Sequence, residues 1–223
     1  MQKQSVHIPV LLDDVLNGLS PKKGDTYLDL TAGYGGHASE VLQRTQAAAT
    51  LVDRDSNAVE YLEKAMSEYD SVDIMHMDFL SASRQLETDG KTYDLILADL
   101  GISSPHIDQH DRGFSLQQEG PIDMRMDQSQ TLTAADIVNT YDFDSIVTIL
   151  RDYGQEPKAK RIAQLIVENR PFTTTIELAE MAKKAWPFGS RAHPATRMFQ
   201  ALRIAVNNEL GQLESALPIW QKL

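Results

Sequence analysis

The sequence predicts an α/β protein: a doubly wound, mostly parallel sheet with four strands present, interrupted by an inserted all-helical domain. Three observations predict it. Short apolar runs alternate with helical spacing through residues 1–105, the pattern of strands joined by crossover helices. A glycine-rich turn follows the first run directly. From Thr133 onward every periodic segment has helical spacing.

Taken in order, residues 27–30 form a short apolar strand, and a helix begins over residues 38–42. Residues 49–52 form a second strand, closed by Asp53-Arg-Asp55. Ser56 is placed to cap the next helix, whose Val59, Leu62 and Met66 keep helical spacing. Residues 73–77 are a third strand ending in Asp78-Phe79, and residues 93–100 a fourth. Residues 106–130 are rich in Asp, Gln, Gly and Arg without a period and read as a long loop, a length that is usually functional. Helices follow over 133–139, 143–153, 157–169 and 175–185, the last capped by Thr175. One final helix starts around Pro194 and sets Met198, Leu202, Val206, Leu210, Leu213 and Leu217 on one face; proline suits a first helical turn. The expected division is 1–105 for the sheet, 106–195 for the loop and helical insertion, and 196–223 for a helix returning to the sheet. Strand four keeps an open neighbour position, a pairing liability.

The composition is that of an ordinary soluble domain, with 42% hydrophobic and 24% charged residues. The absence of Cys excludes a disulfide scaffold, a thiolate metal site and a cysteine nucleophile. Among the six histidines only His106 and His110 stand at His-x-x-x-His spacing, one pair short of a ligand set, so no metal is expected. No apolar run reaches membrane-spanning length, the start is too short for a signal peptide, and a cytoplasmic location is expected. Net charge is −11, but it is unevenly spread. Residues 1–99 carry −9, whereas residues 148–205 carry +5. A basic segment in an acidic chain can still grip phosphates, or can simply be a set of solvated helix faces.

Ligands of open parallel sheets bind outside the carboxyl ends of the strands. Gly33, Gly35 and Gly36 follow strand one, and glycine lets a backbone turn sharply and approach a ligand. Asp53 ends strand two, twenty positions after Gly33, where a carboxylate accepts the hydrogen bonds of a ribose diol. Phe79, after strand three, can cover one face of an adenine. Each element also has an ordinary structural use, the Gly-x-Gly turn above all. In this order, at successive strand ends, they favour an adenosine-containing ligand. Gly33-Tyr-Gly-Gly-His-Ala38 also fits a dinucleotide fingerprint, which keeps an NAD-dependent dehydrogenase as an alternative. No Gly-Lys-Ser/Thr follows, so this is no P-loop. His37 can meet a ligand carboxylate or bond to the backbone.

Strand four ends in Asp99-Leu-Gly-Ile-Ser-Ser-Pro105. Asp99, Ser103, Ser104 and the carbonyl before Pro105 supply acceptors that can orient the protons of an amine. Methyl transfer to an amine needs that orientation and an in-line approach more than acid–base chemistry. A hydride-transfer site would instead want a donor to polarise a carbonyl. Ser and Pro also make ordinary turns. Further along, Asp123, Arg125 and Asp127 alternate and share a face if extended. Arg125 there can meet a phosphate or form a structural salt bridge. Arg197, in the first turns of a helix, can bind phosphate or brace the insertion against the sheet, and Arg112 is a further candidate to meet phosphate.

These segments resemble the bacterial S-adenosylmethionine-dependent 16S rRNA cytosine-N4 methyltransferases, the MraW family. The resemblance rests on His7-Ile-Pro-Val-Leu-Leu12, the Asp29-to-His37 turn, Asp53-Arg-Asp55, Asp99-Leu-Gly-Ile-Ser-Ser-Pro105 and Arg112-Gly-Phe-Ser115. It also rests on Gly120-Pro-Ile-Asp-Met-Arg-Met-Asp127, Tyr153-Gly154 with Glu156, and His193-Pro-Ala-Thr196 through Phe199-Gln-Ala-Leu-Arg-Ile204. It implies a Rossmann-like methyltransferase sheet interrupted by a helical substrate-recognition domain. The implied reaction methylates the exocyclic amine of one cytidine in the decoding region of 16S rRNA, within the small ribosomal subunit. The implied cofactor contacts come from Gly35, Gly36, His37, Asp53, Phe79, Asp99 and His106, the last where the family pattern has Gln. Ala32 and Tyr34 also depart from that pattern, and its closing Gly-Gly turn and later strands have no counterpart in this sequence. A non-catalytic ribosome-binding module is the alternative of another class.

Overall fold

The computed structural model describes residues 9–186 and 193–223, apart from the side chain of Ser104. The chain divides into two compact units, one of residues 9–101 with 211–223 and one of residues 102–210.

In the first unit, α1 (Leu12–Leu19) leads to β1 (Tyr27–Asp29). Then come α2 (Gly36–Thr45), β2 (Ala49–Asp53), α3 (Ser56–Ala65), β3 (Val72–His76), α4 (Phe79–Thr88) and β4 (Leu95–Leu97). All pairings are parallel and the strand order is β3-β2-β1-β4. The expected doubly wound α/β architecture is therefore present. The chain steps outward from β1 to β3, then returns to the other side of β1, so strand order reverses between β1 and β4. That reversal is where open sheets leave a crevice at their carboxyl ends.

Successive strand residues face opposite sides of a sheet, and each side here has its own core. Tyr27 and Leu51 join Ala38, Val41, Leu42, Leu62 and Met66 on one side. Leu28, Leu30 and Val52 join Phe79, Ala82, Leu86, Ala216, Ile219 and Leu223 on the other. β4 has one strand neighbour among the described residues. Just before it, the Tyr93 N–H donates to the Leu223 carbonyl.

The second unit contains α5 (Ser104–Asp108), a 3₁₀ turn (His110–Arg112), α6 (Ala134–Thr140), α7 (Phe143–Asp152), α8 (Ala159–Asn169), α9 (Thr175–Lys183) and α10 (Thr196–Asn207). Its core is built from Ile122, Met124, Ile137, Ile146, Leu150, Ile162, Leu178, Met198 and Leu202. The helix α11 (Glu209–Trp220) follows. No helix among the described residues is long and apolar enough to cross a membrane.

Several boundaries differ from the sequence reading. The single final helix is two, because Asn208 takes a left-handed conformation (φ 48°) that ends α10. The cap of α3 is Asp55, which accepts from the Asn57 N–H, rather than Ser56. The cap of α9 is Thr174, with Thr175 fully buried behind it. β4 is shorter than the apolar run that announces it. The expected loop over 106–130 includes most of α5 and the 3₁₀ turn. It is also tied to α10, since Asn207 accepts from the Met126 N–H and donates to the Met124 carbonyl.

Gly154, just beyond α7, lies against α10. A Cβ there would fall 2.5 Å from the Arg197 carbonyl oxygen and 2.9 Å from that of Leu150. Backbone cannot yield as a flexible side chain can, so Gly154→Ala forces the helices apart. We expect a loss of about 1–3 kcal/mol, the usual scale of overpacking, read as a lower urea midpoint. An unchanged midpoint would mean the contact relaxes freely.

Candidate active site at the strand ends

β1 is followed by a glycine turn whose conformation needs its glycines. Gly33 and Gly35 have φ of 53° and 76°, values that side chains rarely adopt. At Gly35 a Cβ would also fall 2.8 Å from Met66 Cε and 3.0 Å from Leu62 Cδ2. The turn is fastened to the neighbouring strand end. The Gly33 N–H donates to Asp53 Oδ2 at 2.7 Å, and the Asp55 N–H donates to Asp53 Oδ1 at 2.8 Å.

Gly36 opens α2, and His37 sits in its first turn. His37 is 8% exposed, and neither ring nitrogen has a hydrogen-bond partner. Buried polar atoms are nearly always paired, so this imidazole is an unmet demand. Its Nε2 lies 3.6 Å from Asp99 Oδ2, too long for a hydrogen bond. The Asp99 side chain is exposed, and its backbone N–H donates to Thr31 Oγ1 at 2.7 Å. The first unit thus brings together Gly33, Gly35, Gly36, His37, Asp53 and Asp99. It does not add the Phe79 ring. That ring packs in the core edge-on to Trp220, with centroids 5.8 Å apart, so covering an adenine would require it to leave the core.

Asp29 escaped the sequence reading as a separate feature. It is 1% exposed at the end of β1, accepting from the Tyr27 hydroxyl at 2.8 Å and from the Thr31 N–H at 3.1 Å. Burial pushes its carboxyl up to about 7, helped by the charges of Asp53 and Asp99 and opposed by those two hydrogen bonds. The Tyr27 phenol is pushed above its ordinary range by burial and by the Asp29 charge. The available signal was a carboxylate inside the apolar run Tyr27-Leu-Asp-Leu30.

In the second unit, Ser103 begins α5 and is bonded to His106. Ser103 Oγ lies 3.0 Å from His106 Nδ1, and the Ser103 N–H lies 3.3 Å from the same atom. Pro105 occupies the first turn of that helix. The Ser104 side chain lies outside the described residues, as does the start of the His7-to-Leu12 motif. Arg112 is 2% exposed and donates to the Arg125 and Met126 carbonyls. Arg125 forks onto Asp123 at 2.8 and 2.7 Å and donates to the carbonyls of Gln128 and Gln130. Burial works against the Asp123 charge, yet Arg125 and then Arg112 hold its carboxyl below the usual range. The expected alternation over 123–127 is broken at Met124, whose φ is 61°. As placed, Arg112 and Arg125 brace the segment from within, and neither offers a phosphate an open guanidinium. Arg197 is exposed and donates to the Gln155 carbonyl at 2.7 Å. Among the described residues no cluster of His, Asp or Glu could hold a metal ion.

The raised Asp29 carboxyl has a measurable sign. Between about pH 4 and 7 the folded chain holds a proton that the unfolded chain has released. Stability should therefore fall as pH rises through that window, by at most about 1.4 kcal/mol per pH unit. Asp29→Asn should remove this slope from a pH series of thermal melts. An unchanged slope would assign it to other groups.

The model of the MraW methylase family matches residues 4–223. The ribosomal RNA small subunit methyltransferase H of Synechocystis sp. is 45% identical over 230 residues, covering 97% of this chain and 74% of the relative. That of Clostridioides difficile is 43% identical over 215 residues, covering 92% and 69%. The chain belongs to the MraW methylase family of S-adenosylmethionine-dependent methyltransferases.

Proposed function

We propose that this chain methylates the exocyclic N4 amine of a cytidine in the decoding region of 16S rRNA, presented within the small ribosomal subunit in the cytoplasm. The observation that carries the cofactor part is His37, buried with both ring nitrogens unpartnered beside the glycine turn and Asp99. S-adenosylmethionine supplies an electrophilic methyl group, and the residues present fit it. The left-handed glycines let backbone approach the ligand, Asp53 accepts from the ribose hydroxyls, and His37 takes the ligand carboxylate. The ring of Phe79 reaches an adenine only if it leaves the core.

Asp99, just past the end of β4, supplies an acceptor for the amine protons, aiming the nitrogen lone pair at the methyl carbon. A cytosine must leave any base stack to present that amine. The RNA grip falls to lysines more than to the bracing arginines. Lys158, Lys160 and Arg161, around the start of α8, are exposed, within the segment that carries +5. Phosphate contacts of this kind give affinity that falls with salt.

Three outcomes test this reading. Radiolabelled methyl groups should enter unmodified small subunits, and nucleoside analysis should recover N4-methylcytidine. Tight binding to subunits without transfer would leave a binding module instead. Asp53→Ala should weaken cofactor binding by about 1–3 kcal/mol in titration calorimetry, the scale of lost buried hydrogen bonds; unchanged affinity removes the ribose assignment. Lys160→Ala should weaken subunit binding and reduce its salt slope by about one, with cofactor affinity unchanged. An unaltered slope would move the RNA grip elsewhere.

A further inference from the structure

Asp99 carries the amine contact in the reading above, yet little holds it. β4 ends at Leu97, and the Asp99 side chain is exposed, with His37 Nε2 at 3.6 Å beyond hydrogen-bond reach. Among the described residues, the stretch 98–101 makes one hydrogen bond, from the Asp99 N–H to Thr31 Oγ1 at 2.7 Å. We propose that Thr31 is a positioning residue for methyl transfer: its hydroxyl adds one rung to the β1–β4 ladder and so aims the Asp99 carboxylate at the substrate amine. The inference rests on the reaction proposed above, with Asp99 as its amine acceptor.

The ladder explains why a side chain is needed here. The Leu95 N–H donates to the Thr26 carbonyl at its start, and the Leu30 N–H donates to the Leu97 carbonyl at its end. The next rung of a regular parallel pair would run from the Asp99 N–H to the Leu30 carbonyl. That rung is not made, because the chain after β1 has already turned away. The Thr31 N–H donates to Asp29 Oδ1 at 3.1 Å, and the Ala32 N–H crosses to the Val52 carbonyl at 2.9 Å. The main chain thus leaves β4 for β2 at the point where the strand order reverses. The Thr31 hydroxyl fills the vacated place, and a short hydroxyl can accept where no carbonyl reaches.

Thr31 is itself held from below. Asp29, which takes the Thr31 N–H, is 1% exposed and also accepts from the Tyr27 hydroxyl at 2.8 Å. Tyr27 is wholly buried in the core on one side of the sheet. Tyr27, Asp29, Thr31 and Asp99 therefore form one chain of hydrogen bonds, running from that core to the strand end within the first unit. Its last link carries the consequence for catalysis. No hydrogen bond fixes the Asp99 carboxylate among the described residues, so its backbone anchor sets where the acceptor stands. A reacting group misplaced by about 1 Å loses rate on the order of 100-fold.

Single-turnover methyl transfer from saturating S-adenosylmethionine into unmodified small subunits tests this role. Thr31→Val keeps the branched shape and the backbone bond to Asp29 but removes the acceptor. Its rate at saturating subunits should fall roughly tenfold or more, with half-saturation and the cofactor affinity measured by calorimetry unchanged. Thr31→Ser, which keeps the hydroxyl, should recover most of that rate. Hydrogen exchange should show the Asp99 amide protected in the wild type and released in Thr31→Val. A wild-type rate in Thr31→Val overturns the inference, and so does an unprotected Asp99 amide in the wild type. An equal loss in Thr31→Ser would make the methyl group the cause, and a loss carried by cofactor affinity would assign Thr31 to the turn; either overturns it. Should Thr31→Val not fold, Thr31→Ala is compared with Thr31→Ser on the same terms. All of these leave the methyltransferase reading intact, whereas an inactive wild type overturns both.

Discussion

The first unit depends on the clasp between Asp53 and the glycine turn. Left-handed glycines bring no side chains to pack, so nothing intrinsic holds such a turn in place. The Asp53 carboxylate does so by taking the Gly33 N–H on one oxygen and the Asp55 N–H on the other. Strand register makes this reach possible. Asp29 pairs with Leu51, so Asp53 stands two residues beyond the last paired position of β1, level with the turn. Once the turn is fixed, so is the start of α2, and with it the position of His37 next to Asp99.

Much of this was legible in the sequence. Apolar runs that end in Asp53 and Asp99, and glycines directly after Leu30, mark strand ends and a turn because few other arrangements satisfy both burial and chain reversal. The architecture and most of the site in the first unit follow from those signals. Phe79 was harder. Its place after β3 was readable, but whether its ring faces a ligand or the core is decided by Trp220, more than a hundred residues away. The same limit applies to Asn208: the apolar spacing from Met198 to Leu217 continues through it, and only its backbone conformation shows that one helix has become two.

The basic residues of the second unit show why charge counting stops short of function. Arg112 and Arg125 look like phosphate ligands in a list of residues, yet each is satisfied from within. The planar guanidinium suits such bracing, since its rigid fork meets two acceptors at once. Arg125 grips Asp123 with two nitrogens and two carbonyls with a third. Among the described residues the exposed lysines around the start of α8 have no comparable set of acceptors, and Lys158 lies over the Trp186 ring instead. The structure separates basic residues that build the scaffold from those whose charge faces solvent.

The left-handed residue between α10 and α11 sets a rule for what evolution can write there. Asn208 has φ 48° and ψ 40°, a region where a β-carbon crowds its own carbonyl and only glycine, asparagine or aspartate sits at low cost. A library sampling all amino acids at this position and selected for folded protein should return a very short alphabet. Valine, isoleucine and threonine would vanish first, although solvent-facing positions in a helical region ordinarily tolerate them.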